Sequence, residues 1–177
     1  MYTVEFQKRG LPHIHCLVWL AARNADFDPI IVDGFISAEI PDVLTDPIGY
    51  ALVDEFMIHG PCEDDNKSCP CMKKGSCSKH FPKSFQDETM LDKFGFTVYK
   101  RRNDGRYVVK NGLKLDNKNV VPYNMKLLKK YQAHINVEWC NKSNMIKYVF
   151  KYVTKGSDRT KVYFETTDKA SDKTNPA

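Results

Sequence analysis

The chain has no apolar run of the ~18 residues that a membrane helix requires, so no membrane partner is expected. Its N-terminus also lacks the basic start and apolar stretch of a secretory signal. Without an export signal the six cysteines are expected to stay reduced, which favours metal binding or plain burial over disulfides. No internal repeat is visible, so the solenoid and propeller architectures are set aside. Charge of one sign is not overwhelming: 27 Lys plus Arg against 22 Asp plus Glu give +5, an excess that solubility alone explains. Aliphatic residues are scarce in one place, residues 59–84, which carry four cysteines and three prolines; an apolar core cannot hold that segment together.

What is present suffices for one domain. The 177 residues are 42% hydrophobic and 12% aromatic, enough for a packed core and too few for two large domains. Met1 is followed at once by the strand-like Tyr2-Thr3-Val4-Glu5-Phe6, so a fragment of a longer protein is expected. Residues 2–7 and 13–20 read as two strands joined by Lys8-Arg9-Gly10-Leu11. The second becomes continuously apolar, as in a buried central strand. Residues 24–58 read as irregular with one helix near 47–58. Residues 94–121 read as further strands, with turn chemistry at Asn103-Asp104-Gly105 and Asn111-Gly112. A short helix over 125–131, a strand over 133–139 and a helix over 143–155 capped by Ser143 complete the reading.

Three motifs can carry chemistry. In His13-Ile14-His15 the alternation of a strand puts both imidazoles on one face, where they can chelate a metal. Glu5 and Gln7 share a face of the neighbouring strand and offer an oxygen to complete the site. For an isolated motif of this kind, two histidines that merely hydrogen-bond at a sheet edge are the favoured reading. On a helix, Tyr148 and Tyr152 stack at i and i+4 beside a basic row of Lys147, Lys151 and Lys155. Two amphipathic tyrosines at the rim of a core are the plainer alternative. From Lys142 to Lys161 there are six basic residues and one acid, Asp158, the local clustering that phosphate binding needs and that a solvated face also shows.

The third motif is His59-x2-Cys62, then Cys69-Pro-Cys71, then Cys77-x2-His80: six candidate ligands within 22 positions. Structural zinc takes four N or S ligands in a tetrahedron, with closely spaced pairs closing short loops. The expected set is His59, Cys62, Cys71 and Cys77, with Cys69 and His80 as substitutes. A loop of reduced cysteines remains the alternative.

The string Glu5-Phe6-Gln7-Lys8-Arg9-Gly10-Leu11-Pro12-His13-Ile14-His15 resembles the metal motif of Helitron-type rolling-circle transposases, which carry a His-hydrophobe-His (HUH) endonuclease. Further landmarks similar to that family follow in its order. They are His59-Gly60-Pro61-Cys62, Cys77-Ser78-Lys79, Phe81-Pro82-Lys83, Val120-Val121-Pro122-Tyr123-Asn124, His134-Ile135-Asn136-Val137-Glu138, and the two-tyrosine motif Lys147-Tyr148-Val149-Phe150-Lys151-Tyr152. The resemblance implies an α+β fold over residues 1–160, an antiparallel sheet flanked by helices, with a Cys/His-rich zinc-binding insertion at 59–84 and a polar tail at 161–177. It implies a nuclease that nicks single-stranded DNA at transposon ends, using Mg or Mn held by His13, His15 and Glu5 or Gln7. Tyr148 and Tyr152 would be the nucleophiles, aided by Lys151 and Lys155, with a 5′-phosphotyrosine intermediate. Lys147, Arg101 and Arg102 are the expected DNA contacts. An ATP-driven helicase domain in a longer parent protein and a nuclear location belong to the same expectation.

Overall fold

The computed structural model describes residues 2–6, 12–19, 27–140 and 161–163; for residues 5, 6 and 161–163 only the backbone is described. The chain divides into two compact units, Met1–Ala25 with Lys142–Ala177, and Asp26–Asn141. The described residues form a mixed α/β structure with one three-stranded and several two-stranded antiparallel sheets. No helix among them is long and apolar enough to cross a membrane.

In the first unit, β1 (Tyr2–Phe6) and β2 (Pro12–Cys16) pair antiparallel, with Thr3 opposite His15 and Glu5 opposite His13. A third strand, β9 (Lys161–Tyr163), pairs with the other side of β1, giving the order β2-β1-β9. The expectation of a buried central strand over 13–20 is therefore corrected. Among the described residues β2 is an edge strand that ends at Cys16, and Ile14, Val18 and Trp19 are 60%, 74% and 68% exposed. An apolar run predicts burial only if another layer covers it, and the sequence does not say which face is covered. The polar tail expected over 161–177 likewise contributes a strand at its start.

The second unit is built around helices with matching starts. Two of them, α1 (Pro29–Phe35) and α2 (Pro47–Phe56), each begin with an Asp N-cap and a proline in the first turn. The Asp28 carboxylate accepts from the Ile30 N–H at 2.8 Å, and that of Asp46 from the Gly49 N–H at 2.9 Å. Such caps satisfy amide donors that no helical carbonyl reaches, and proline costs nothing where its missing N–H has no helical acceptor. The helix α1 lies in a stretch read as irregular, because its apolar residues Ile30, Ile31 and Val32 adjoin one another and show no helical period. The third helix, α3 (Met125–Tyr131), is capped by Asn124, whose side chain accepts from Leu127 N–H and donates to the carbonyl of Phe35.

The strands of this unit are short hairpins: β3 (Met72–Lys73) with β4 (Ser76–Cys77), β5 (Met90–Leu91) with β6 (Thr97–Val98), and β7 (Tyr107–Lys110) with β8 (Leu113–Asp116). Asn111 and Gly112 join the last pair with φ of 51° and 79°, the twist that a two-residue hairpin turn requires. Val108 and Leu115, directly opposite across this hairpin, point into the main core with Ile40, Val53, Met57, Val120, Tyr123 and Leu128. Residues 133–139, expected as a strand, form none. Their burial does alternate, and Val137 and Trp139 pack against the cluster of Val32, Ile36, Ala38 and Tyr99. The backbone bonds go elsewhere, Val137 N–H to the Pro122 carbonyl and Trp139 N–H to the Tyr99 hydroxyl oxygen. The periodicity is that of a half-buried extended segment, but among the described residues no neighbouring strand completes a ladder.

Candidate metal centre

Residues 58–83 are anchored at both ends, by the bridge of Ile58 with Val120 and by the Lys83 N–H donating to the Lys118 carbonyl at 2.9 Å. The backbone N–H of His59 donates to the Asn119 carbonyl at 2.8 Å, and the Asn119 side chain returns a bond to the His59 carbonyl at 3.1 Å. The Phe81 ring stacks on the His59 imidazole with centroids 4.3 Å apart, which limits ring rotation. Gly60 adopts φ of 112°, a conformation that favours glycine, and turns the chain so that Cys62 follows beneath.

The hairpin β3–β4 supplies the other two ligands. Lys74 and Gly75, with φ of 53° and 84°, form its two-residue turn. Cys71 immediately precedes β3 and Cys77 ends β4, so a short loop is closed across the pair, bridged also by Ser78 N–H donating to the Cys71 carbonyl at 2.8 Å. Glu63 accepts the Cys77 N–H, and its own N–H meets the Met72 sulfur at 3.3 Å, tying the segment after Cys62 to the hairpin.

These elements bring His59, Cys62, Cys71 and Cys77 together, with one donor atom from each lying within 4.8 Å of the others. Zn–S bonds of ~2.3 Å and Zn–N bonds of ~2.0–2.1 Å in a tetrahedron imply donor separations of about 3.5–3.8 Å. The Cys77 Sγ to His59 Nε2 distance of 3.3 Å is close to such an edge. None of the six cysteines is in a disulfide. The cluster can therefore hold a metal ion such as zinc. Of the substitutes, His80 is exposed and outside the set; Cys69 is also outside it, although its sulfur lies 3.4 Å from that of Cys71.

The protonation balance suits a cation. Burial pushes the Cys62 thiol up to about 11, helped by the neighbouring Cys77. Cys71 is also raised, first by burial and then by hydrogen bonds with Cys69 and Cys77. Cys77 moves the other way: burial opposes its thiolate, but backbone N–H groups of Phe81 and Lys79 donate to the sulfur and outweigh it. Burial, then the positive charges of Lys79 and Lys83, hold His59 below its ordinary value and keep the imidazole neutral, the form that binds metal. Three thiolates and a divalent ion carry a net negative charge, which the same two lysines offset. Packing three sulfurs together without a cation leaves two of them costly to ionise.

Glu63, Asn119 and Phe81 support the ligands but carry no mark of that role in the sequence. Asn119 lies 60 positions from His59, and no local spacing connects them.

In the other unit, His13 and His15 share a face of β2, with ring centroids 4.6 Å apart and planes at 70°. The register sets Glu5 opposite His13. Gln7, Lys147, Tyr148, Lys151, Tyr152 and Lys155 lie outside the described residues.

Neither a protein-family model nor a curated protein matches the chain.

The expected DNA contacts Arg101 and Arg102 sit elsewhere. Arg101 is buried, its Nη1 donating to the carbonyls of Asn117 at 2.7 Å, Val120 at 2.6 Å and Ala38 at 3.3 Å. Burial lowers its pKa to about 10, still charged at neutral pH. This guanidinium is a strut tying the Ala38 segment to the turn of residues 117–120 and is not presented to a phosphate. Arg102 grips Glu39 through Nε and Nη2, the closest contact being 2.5 Å, and the pairing raises the guanidinium's pKa. The half-exposed remainder of Arg102 still reaches solvent.

Proposed function

We propose that this protein is a metal-dependent, single-strand DNA nicking and strand-transfer protein of the HUH type, whose first unit carries the nuclease chemistry and whose second unit is stabilised by zinc. The observation that carries the reading is the histidine pair on one face of β2, together with the register that sets a carboxylate residue, Glu5, across from His13. The ordered series of Helitron-like landmarks supports it. So does the His/Cys cluster, whose three sulfurs and one nitrogen are the donor set of structural zinc.

In this reading His13, His15 and Glu5 or Gln7 hold Mg or Mn, which supplies charge stabilisation at the scissile phosphate. Tyr148 or Tyr152 attacks the phosphorus through its phenolate oxygen. The P–O3′ bond breaks, the departing 3′ oxygen takes a proton, and the 5′ phosphate stays on the tyrosine. A free 3′ hydroxyl later attacks the phosphotyrosine and releases the tyrosine, so no ATP is consumed. A phenol with a pKa near ~10 needs nearby positive charge to act at neutral pH, and Lys151 and Lys155 supply it.

The test is incubation of the full chain with labelled single-stranded DNA and Mn, followed by a denaturing gel. A covalent protein–DNA adduct is expected, absent from His13→Ala/His15→Ala and from Tyr148→Phe/Tyr152→Phe. Folded, zinc-loaded protein that gives no adduct across varied oligonucleotides refutes the nuclease reading.

A second reading, a single-strand DNA-binding domain without cleavage, is favoured by lysines seated over aromatic rings in the second unit. Lys114 lies 4.3 Å from the Tyr107 ring centroid, and Lys118 lies 5.0 Å from that of Phe85. Stacking rings beside phosphate-neutralising cations are the elements of sequence-tolerant single-strand binding. It predicts salt-sensitive binding that survives loss of both tyrosines.

A further inference from the structure

Cys69 is the one cysteine of residues 59–84 that the four-residue cluster leaves out, yet it is not remote from it. Its sulfur lies 3.4 Å from that of Cys71. The backbone explains the approach: Met72 N–H donates to the Cys69 carbonyl at 2.9 Å, closing a turn with Cys69 at its first position and Cys71 at its third. A second bond, from Cys69 N–H to the Asn66 carbonyl at 3.2 Å, holds the entry to that turn. Cys69 is half-buried, so a small oxidant reaches it, whereas Cys62 and Cys77 are buried. A disulfide needs sulfurs brought to ~2.05 Å by small side-chain rotations, and the turn already supplies the backbone proximity.

We propose that Cys69 and Cys71 form an oxidation site that withdraws a ligand from the metal cluster when it closes to a disulfide. The co-reactant is a hydroperoxide. The Cys69 sulfur attacks its O–O bond, is oxidised to a sulfenic acid and releases water (or, from an organic hydroperoxide, an alcohol). The Cys71 sulfur then attacks the Cys69 sulfur; the S–S bond forms, the S–O bond breaks, and the hydroxide leaves as water after taking a proton. The two thiol groups together lose two electrons to the peroxide. Cys71 can no longer serve as an anionic ligand, and His59, Cys62 and Cys77 are left with an incomplete tetrahedron. The inference rests on the metal reading of the cluster.

The experiment treats zinc-loaded full chain with hydrogen peroxide, reading free zinc with a chromophoric chelator and mapping disulfides by mass spectrometry. All versions carry Ser at the exposed Cys16 and Cys140. Trypsin places both sulfurs in one peptide, residues 68–73, whose disulfide shows as a loss of two hydrogens. Zinc release is expected to track that peptide. Cys69→Ser should bind zinc as tightly as the parent and release it on the order of tenfold more slowly. Equal release rates, a disulfide between other cysteines, or weakened zinc binding by Cys69→Ser overturns the proposal. Protein that takes up no zinc before oxidant is added overturns the metal reading itself, and is recognised before the second step begins.

Discussion

Replacing Cys77 by serine is the sharpest test of the metal centre, because Cys77 joins more of the site than any other ligand. Its sulfur lies 3.3 Å from His59 Nε2, accepts the N–H groups of Phe81 and Lys79, and is almost fully enclosed. Structural zinc sites bind with about 10–16 kcal/mol, which over four ligands is roughly 3 kcal/mol each. Losing one ligand should therefore weaken zinc by about two to three orders of magnitude. Competition against a chromophoric chelator reads that change directly. Trypsin supplies an independent readout, since Lys67, Lys73, Lys74 and Lys79 all lie in the segment that the metal would order. Cuts at these lysines should appear in Cys77→Ser, and in the parent after chelation, while His80→Ala should behave as the parent. Zinc affinity in Cys77→Ser within threefold of the parent, as an order-of-magnitude threshold, would refute the reasoning.

Other outcomes follow from the same geometry. Arg101→Met strands the carbonyls of Ala38, Asn117 and Val120, so a loss of about 3–5 kcal/mol is expected in urea unfolding; a loss below about 1 kcal/mol would mean the guanidinium is not the strut described. A Cβ at Gly49 would meet the Asp46 carboxylate oxygen at 2.3 Å and the Met125 methyl at 2.8 Å, so Gly49→Ala should lower the melting temperature through a cost of about 1–3 kcal/mol. Acid should weaken the metal-free second unit through His59. Its pKa is held below 6.5 in the folded state, so below pH 6.5 the unfolded chain takes up the proton first, and stability falls until the depressed value is passed. Urea midpoints measured from pH 7.5 downward should show that loss, and His59→Asn should flatten it.

The His/Cys cluster was legible in the sequence for a local reason. Its ligands lie in a segment without Ile, Leu or Val, so only side-chain coordination or anchoring from outside can order it, and short spacings bring pairs such as His59 and Cys62 together through the chain itself. The hairpin turn at Asn111-Gly112 and the helix over 125–131 were legible likewise, because turn chemistry and capping act between near neighbours. The strand expected over 133–139 failed at the next level, where a ladder needs a partner that periodicity does not name. The four ligands chosen from the six in the sequence are the four whose donor atoms converge; what the sequence did not show is how the β3–β4 hairpin and the Asn119 clamp hold them there.

Arg101 marks the limit most clearly. As text it is one half of an exposed-looking Arg-Arg pair; in the fold it is enclosed by carbonyls from residues 38, 117 and 120. Composition and spacing determined the chemistry available to this protein: metal-ligating sulfurs, paired histidines, basic and aromatic side chains. The tertiary structure decided which of those groups face one another, because burial and convergence depend on contacts between residues far apart in the chain.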